Sequence, residues 1–427
     1  MEFGQVPVRI GGKGAGSEPA DHTGAAMEPV PSAGQLPARV VLLFAVACGL
    51  SVANIYYAQP LLDAMARDFA VAPASIGIVV TMTQIGYALG LIFIVPLGDL
   101  LDRRRLIVGQ AALSALALIA VGWAPTAITL LAAMMAVGLL AVVVQVLVAF
   151  AATLAAPEER GSVVGRVTSG VVIGILLARF VSGTVADVAG WRSVYLASAL
   201  LTLVMAGCLL RVLPRHVAAV AAPSYPQLLR SMVGLFRDEP ILRVRATLAL
   251  LIFAAFSALW TAMVLPLSAP PFSLSHTQVG LFGLAGAAGA LAAGRAGRLA
   301  DRGLAQWTTG IALTLMLLAW IPVALMGVSL WILMVGIVVL DFSLQAVHVT
   351  NQSLIFAVRP EARSRLVGGY MVFYSIGSAC GSIASTMIYA WAGWLGVCGL
   401  GATISAVALL FWAATRHPTP GPGASAG

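Results

Sequence analysis

Charge is what this 427-residue chain has least of. Only 9% of its residues are charged, against about 25% in an ordinary soluble domain. That leaves too little polar side chain to clothe a water-facing surface. Hydrophobic residues make up 60%, which excludes general disorder by the same measure. Lysine is almost missing, with Lys13 the single copy among 24 basic residues. Acidic residues number 16, so the chain carries a formal +8. A nucleic-acid surface needs clustered bases and aromatics on a polar face. Here the bases fall between apolar runs, so no nucleic-acid partner is expected. Cysteine is scarce as well. Cys48, Cys208, Cys380 and Cys398 have no metal or redox spacing and read as small packing residues.

What the chain has is long apolar runs. About 20 apolar residues cross a bilayer as a helix, and backbone groups inside lipid must pair within helices or closed barrels. The runs are continuous rather than alternating, which excludes a barrel. Twelve spans are expected, at 40–60, 75–97, 106–123, 128–155, 165–188, 193–212, 246–267, 277–296, 306–326, 330–357, 367–391 and 395–414. With the N-terminus in the cytoplasm, 21 of the 24 bases fall on the cytoplasmic side. The positive-inside rule therefore predicts a multi-pass membrane protein with both termini cytoplasmic. The expected organisation is a disordered tail at 1–37, a six-helix bundle at 38–213, a linker at 214–245, a second bundle at 246–415 and a short tail at 416–427. No signal peptide precedes the first span, and Met27 is an alternative start. The linker's Pro226–Phe236 stretch is a candidate interfacial helix.

The two halves repeat. Pro157-Glu158-Glu159-Arg160 and Gly165 match Pro360-Glu361-Ala362-Arg363 and Gly368, and Ala189-Gly190-Trp191 matches Ala392-Gly393-Trp394. Gly98-x-x-x-Asp102-Arg103 matches Gly297-x-x-x-Asp301-Arg302. A shift of six spans preserves orientation, so the repeat is parallel.

With these motifs, the chain resembles the major facilitator superfamily over nearly all of its length after the tail. Gly98 to Arg105 is similar to the family's loop 2–3 motif, with Arg105 in place of its second glycine, and Gly297 to Gly303 is a second copy. The resemblance implies an all-α membrane protein of twelve transmembrane helices in two six-helix bundles with pseudo-twofold symmetry. It also implies that Gly98, Asp102, Arg103, Gly297, Asp301 and Arg302 form a conformational-switch motif. Residues Gln59 to Phe69 are similar to the Pro-x-Leu-Pro segment of the twelve-span drug:proton antiporter branch. So is the fifth-span frame of Gly165, Gly174, Ala178, Ser182 and Gly183, although Arg179 stands where that branch has proline. In the fourth span Met134 replaces the branch's arginine.

A charge at the bilayer centre costs roughly 2.5–3.5 kcal/mol. Arg179 and Asp341 are the two charges expected near the midplane, whereas Asp63 and Asp187 lie near span ends. Asp341, Gln345, His348 and Gln352 fall at about 0°, 40°, −20° and 20° around one helix, forming a single polar stripe. Such a stripe must face the bundle interior or a watered cavity. The resemblance implies that spans 1, 4, 7 and 10 line that cavity, which makes Asn54, Tyr57, Gln145 and Trp260 candidate wall residues. Asp341 reads either as a proton-coupling carboxylate, with His348 as a relay, or as a structural partner of Arg179. Arg179 reads either as a structural cation or as a contact for an anionic substrate.

The expected function is a secondary active transporter, a proton-coupled antiporter exporting a small organic or drug-like molecule as a monomer. The alternative is an uptake symporter or uniporter for a nutrient or organic anion. No catalytic constellation, metal set or cofactor motif is present, so an enzyme is not expected. Gly11-Gly12-Lys13-Gly14 lacks the P-loop spacing, so no nucleotide is expected either.

Overall fold

The computed structural model describes residues 37–156, 159–214, 224–286, 296, 298–358 and 363–416. All regular structure among them is helical. Ten described helices are long and apolar enough to cross a membrane. One of them, Arg365–Thr415, contains two spans, because the backbone turns at Gly393 (φ 63°). Span 8 is described as His276–Ala285. The expected 1–37 tail lies almost wholly outside the described residues, as do Gly297, most of the glycine-rich part of span 8 and the first residues of the Pro157 and Pro360 motifs.

The expected limits hold to a few residues, and capping chemistry explains where they moved. Span 3 begins at Arg103 rather than 106, because Asp102 Oδ1 accepts the backbone N–H groups of Arg104 (2.8 Å) and Arg105 (3.2 Å). A side-chain cap of this kind satisfies donors that the first helical turn leaves bare. Span 7 begins at Pro240 rather than 246, with proline at the first helical position, where a missing N–H costs nothing. That shift corrects the placement of Arg245, which is inside the helix and 3% exposed rather than in a loop. Within the linker, Tyr225–Asp238 is a helix that buries Leu228 and Leu235. Span 5, Arg160–Ala189, runs unbroken for 30 residues, so the arginine at the family's proline position comes with a continuous helix.

The repeat is visible in the backbone. Gly190 and its counterpart Gly393 both take positive φ (81° and 63°), turning one span directly into the next. The tryptophans that follow each donate an indole N–H to an anchor, Trp191 to Asp68 Oδ2 and Trp394 to the Val323 carbonyl, each at 3.0 Å.

Burial separates central from lipid-facing helices. In span 7 the most apolar window is 83% buried, against 28% in span 5. Large apolar side chains such as Leu116, Leu200, Trp331 and Trp391 point outward, as a hydrocarbon solvent requires. Cys208 and Cys380 are exposed too, so only Cys48 and Cys398 are buried packing residues.

Small residues bring helices to backbone contact. A Cβ on Gly174 would strike the Gly49 carbonyl of span 1, and one on Gly183 would strike the His276 carbonyl of span 8. Gly280 of span 8 lies equally close to the Arg179 carbonyl. A Cβ on Gly165 would meet nothing within 4 Å among the described residues, so close helix approach does not call for glycine there. The two halves of the molecule thus meet along spans 5 and 8. Spans 2 and 11 make a second seam, where Thr81 Oγ1 donates to the Ala379 carbonyl (2.9 Å) and Thr386 Oγ1 to that of Ala74 (3.0 Å).

Candidate functional site

Between the two halves lies a cavity of about 150 Å³. Its walls include Tyr56, Tyr87, Gln145, Arg179, Asp341, Gln345 and His348. Helix irregularities aim several of these groups. Span 1 stops at Tyr56 and resumes at Leu62, because Pro60 lacks an N–H and restricts Gln59. The break turns the Gln59 side chain inward, where its Oε1 accepts from Arg179 Nε at 2.6 Å. Span 4 is interrupted at Val142, three residues before Gln145.

Arg179 is 2% exposed. Its guanidinium lies 3.8 Å from the centroid of the Trp260 ring, 5.1 Å from Tyr56 and 5.7 Å from Phe256. Aromatic faces attract cations through their quadrupoles. Nη2 has no hydrogen-bond partner among the described residues. Asp341, 5% exposed, accepts from Trp260 Nε1 at 3.2 Å on Oδ1. Its Oδ2 lies over Gly286, where a Cβ would come within 2.7 Å. Arg179 and Asp341 make no ion-pair contact with each other. Trp260 touches both, its ring against the guanidinium and its N–H on the carboxylate.

The polar stripe of span 10 divides. Asp341, Gln345 and His348 face the cavity, whereas Gln352 is half-buried outside its lining. His348 Nδ1 is 2.9 Å from Tyr370 Oη, and its ring stands edge-on to Phe253 at 5.2 Å. Gln145 Nε2 donates to Tyr87 Oη at 3.3 Å. Asn54 turns away from the cavity, its Oδ1 accepting from Ser198 Oγ at 2.7 Å. Tyr57 packs edge-on against Tyr195, and Tyr56 is the tyrosine on the cavity. Tyr56 Oη and Tyr374 Oη are 2.8 Å apart, a hydrogen bond across the two halves.

Three features escaped sequence reasoning. Arg245 lies in span 7, its Nη1 donating to Asn351 Oδ1 at 3.4 Å. Gln59 carries no periodic signal. The third is a cluster at the Asp187 end of the molecule. His276 Nδ1 is 2.8 Å from Asp187 Oδ1, and Nε2 is 3.2 Å from Asp63 Oδ1. Asp187 also accepts the backbone N–H groups of His276 (3.1 Å) and Thr277 (2.8 Å), and Asp63 pairs with Arg67 at 2.9 Å. Positions near span ends suggested only surface charge. The opposite ends of spans 1, 5 and 8 had to be brought together to reveal the cluster.

The loop 2–3 motif is anchored locally. Asp102 caps span 3, while Arg103 bonds the Gly98 carbonyl (2.9 Å), Thr153 Oγ1 (2.7 Å) and Asp99 Oδ1 (3.3 Å). A Cβ on Gly98 would meet only ordinary contacts, at 3.6 Å, so close helix approach is not what this glycine supplies. In the second copy Arg302 is exposed, Gly303 takes positive φ (80°), and the Asp301 side chain lies outside the described residues.

Comparison with known proteins matches this architecture. The Major Facilitator Superfamily model aligns with residues 42–355 and 246–427. A protein of Escherichia coli O157:H7 named "Uncharacterized transporter YgaY" is 47% identical over 378 residues, 88% of this chain and 96% of that one. One of Streptomyces coelicolor named "Probable transporter SCO4007" is 32% identical, covering 88% and 87%. Among solved structures, a bacterial homolog to the human lysosomal transporter Spinster, inward-facing and occupied, superposes with a TM-score of 0.71 at 14% identity, covering 89% and 97%. The nucleoside transporter NupG superposes with 0.69 at 15% identity, covering 88% and 99%.

Proposed function

The chain belongs to the major facilitator superfamily and is a membrane transporter, and from that premise we propose that it exports a small organic molecule in exchange for protons. It works by alternating access in a bacterial cytoplasmic membrane, as a monomer with both termini in the cytoplasm. The observation that carries this reading is Asp341. It is a buried carboxylate on the cavity wall with, among the described residues, one neutral hydrogen-bond donor and no cation in ion-pair contact. A carboxylate on the wall of a cavity shared by the two halves can take a proton on one side of the membrane and release it on the other as the halves alternate. One charge crossing roughly 150 mV yields about 3.5 kcal/mol, enough to hold a gradient of over two decades.

The test is flux in sealed proteoliposomes under an imposed pH gradient. Proton-linked export should vanish in Asp341→Asn while the protein still inserts. Full retention of proton-driven flux by that variant would sink the coupling role. The partnerless Nη2 of Arg179 supports a second reading, uptake of an organic anion together with a proton. The direction of flux with and without the pH gradient separates the two.

A further inference from the structure

Two opposite charges line one cavity with no ion-pair contact between them. Arg179 projects from the first half of the molecule, with Nε committed to Gln59 and Nη2 without a hydrogen bond among the described residues. Asp341 projects from the second half, with Oδ1 held by Trp260 and Oδ2 over the bare backbone of Gly286. Trp260 contacts both, its ring facing the guanidinium and its N–H donating to the carboxylate. In a low-dielectric cavity each isolated charge costs several kcal/mol unless a partner arrives. An anion would satisfy Arg179 and set a second negative charge facing Asp341. A cation would do the reverse. Only a ligand with both charges compensates both walls at once.

We propose that the substrate is a compact zwitterion, an amino-carboxylate whose carboxylate pairs with Arg179, whose ammonium pairs with Asp341, and whose apolar body lies against Tyr56 and Phe256. The cavity volume of about 150 Å³ is that of a space able to hold benzene, so the body is small. Charge-assisted pairing at a guanidinium favours a flat oxyanion such as carboxylate. The inference rests on the reading of this cavity as the substrate site, and it adds a reason for exchange. A proton on Asp341 removes the ammonium's partner, so proton and substrate exclude one another at one oxygen pair.

The test uses three molecules of one shape and the purified full-length protein. L-Leucine carries both charges, isopentylamine the ammonium alone, and 4-methylpentanoate the carboxylate alone. Leucine should raise the thermal unfolding temperature at concentrations about tenfold below either analogue, the worth of one added charged contact. In Arg179→Gln leucine should fall to the level of isopentylamine, and in Asp341→Asn to that of 4-methylpentanoate. Arg179→Lys and Asp341→Glu keep the charges and should keep the ranking, which separates lost recognition from lost folding. Equal potency of leucine and either analogue overturns the proposal, and so does the absence of any shift with leucine. Flux under a pH gradient is measured on the same preparations. A leucine preference without proton linkage would overturn the coupling reading and leave the zwitterion standing. Proton linkage without that preference would do the opposite.

Discussion

Two sets of buried or half-buried charges lie where the halves of the molecule meet, about 12 Å apart along span 5 at the helical rise. In the outer set, His276 places one ring nitrogen on Asp187 and the other on Asp63, and Arg67 adds a cation to Asp63. A neutral imidazole has one N–H, so serving two carboxylates calls for the imidazolium. In the inner set, Arg179 and Asp341 share the Trp260 ring as neighbour but not each other. The outer charges are nearly complete in their hydrogen bonds, and the inner ones are incomplete. Complete sets hold a seam together. Incomplete ones leave atoms for something that arrives and departs.

The sharpest way to break this distinction is to neutralise one carboxylate in each set. Asp341→Asn should reduce proton-driven accumulation by about two decades, the gradient one proton sustains. Asp187→Asn should leave proton coupling in place. If vesicle flux shows the reverse, the roles assigned to the two sets are exchanged.

Next in size is the seam itself. Gly183→Leu forces a side chain into the His276 backbone and should cost about 1–3 kcal/mol, as overpacking does. It should widen the distance between spin labels placed on the two halves at that end, whereas Gly165→Leu, with open space around it, should not.

A smaller effect is expected from pH. The hydrogen bond that His276 donates to Asp63, helped by the charges of Asp63 and Asp187, holds His276 above the ordinary imidazole value of about 6.5, against the opposing pull of desolvation. Its contribution to the closed seam is therefore complete below that ordinary value and lost as pH rises through the elevated one. His276 is partly exposed, so about 1 kcal/mol after screening is the expected scale. The label distance should grow on alkalinisation in the native protein and stay flat in His276→Gln. The corners should touch folding and not transport. Gly190→Ala and Gly393→Ala should each cost about 1–3 kcal/mol in thermal stability, the penalty of a Cβ at a backbone conformation open essentially to glycine alone, and leave substrate ranking untouched.

Sequence carried the helices, the repeat and the stripe of span 10, because each is a periodic signal along one element. Asp341, Gln345 and His348 follow from helical spacing alone, and the structure puts all three on one wall. Tyr56 rather than Tyr57 lines the cavity, since a one-residue step rotates a side chain by 100° and the break before Pro60 sets the phase. Arg245 was lost at a span boundary that only capping chemistry fixes. Gln59 with Arg179, and His276 with Asp63 and Asp187, join residues more than 80 positions apart. No local pattern announces such contacts. The loop 2–3 motif was legible as a motif. Its observed bonds, a cap by Asp102 and a tie from Arg103 to Thr153, are those of a local brace.

Asp187 has a further consequence. It holds the first backbone donors of span 8 from the opposite half of the molecule. Span 8 therefore borrows part of its cap from a partner it must leave. Parting the halves removes that carboxylate from both donors in the same movement, at a cost of about 0.5–2 kcal/mol for a lost cap. Such an end behaves as a catch, seated or released, and not as a spring that yields by degrees.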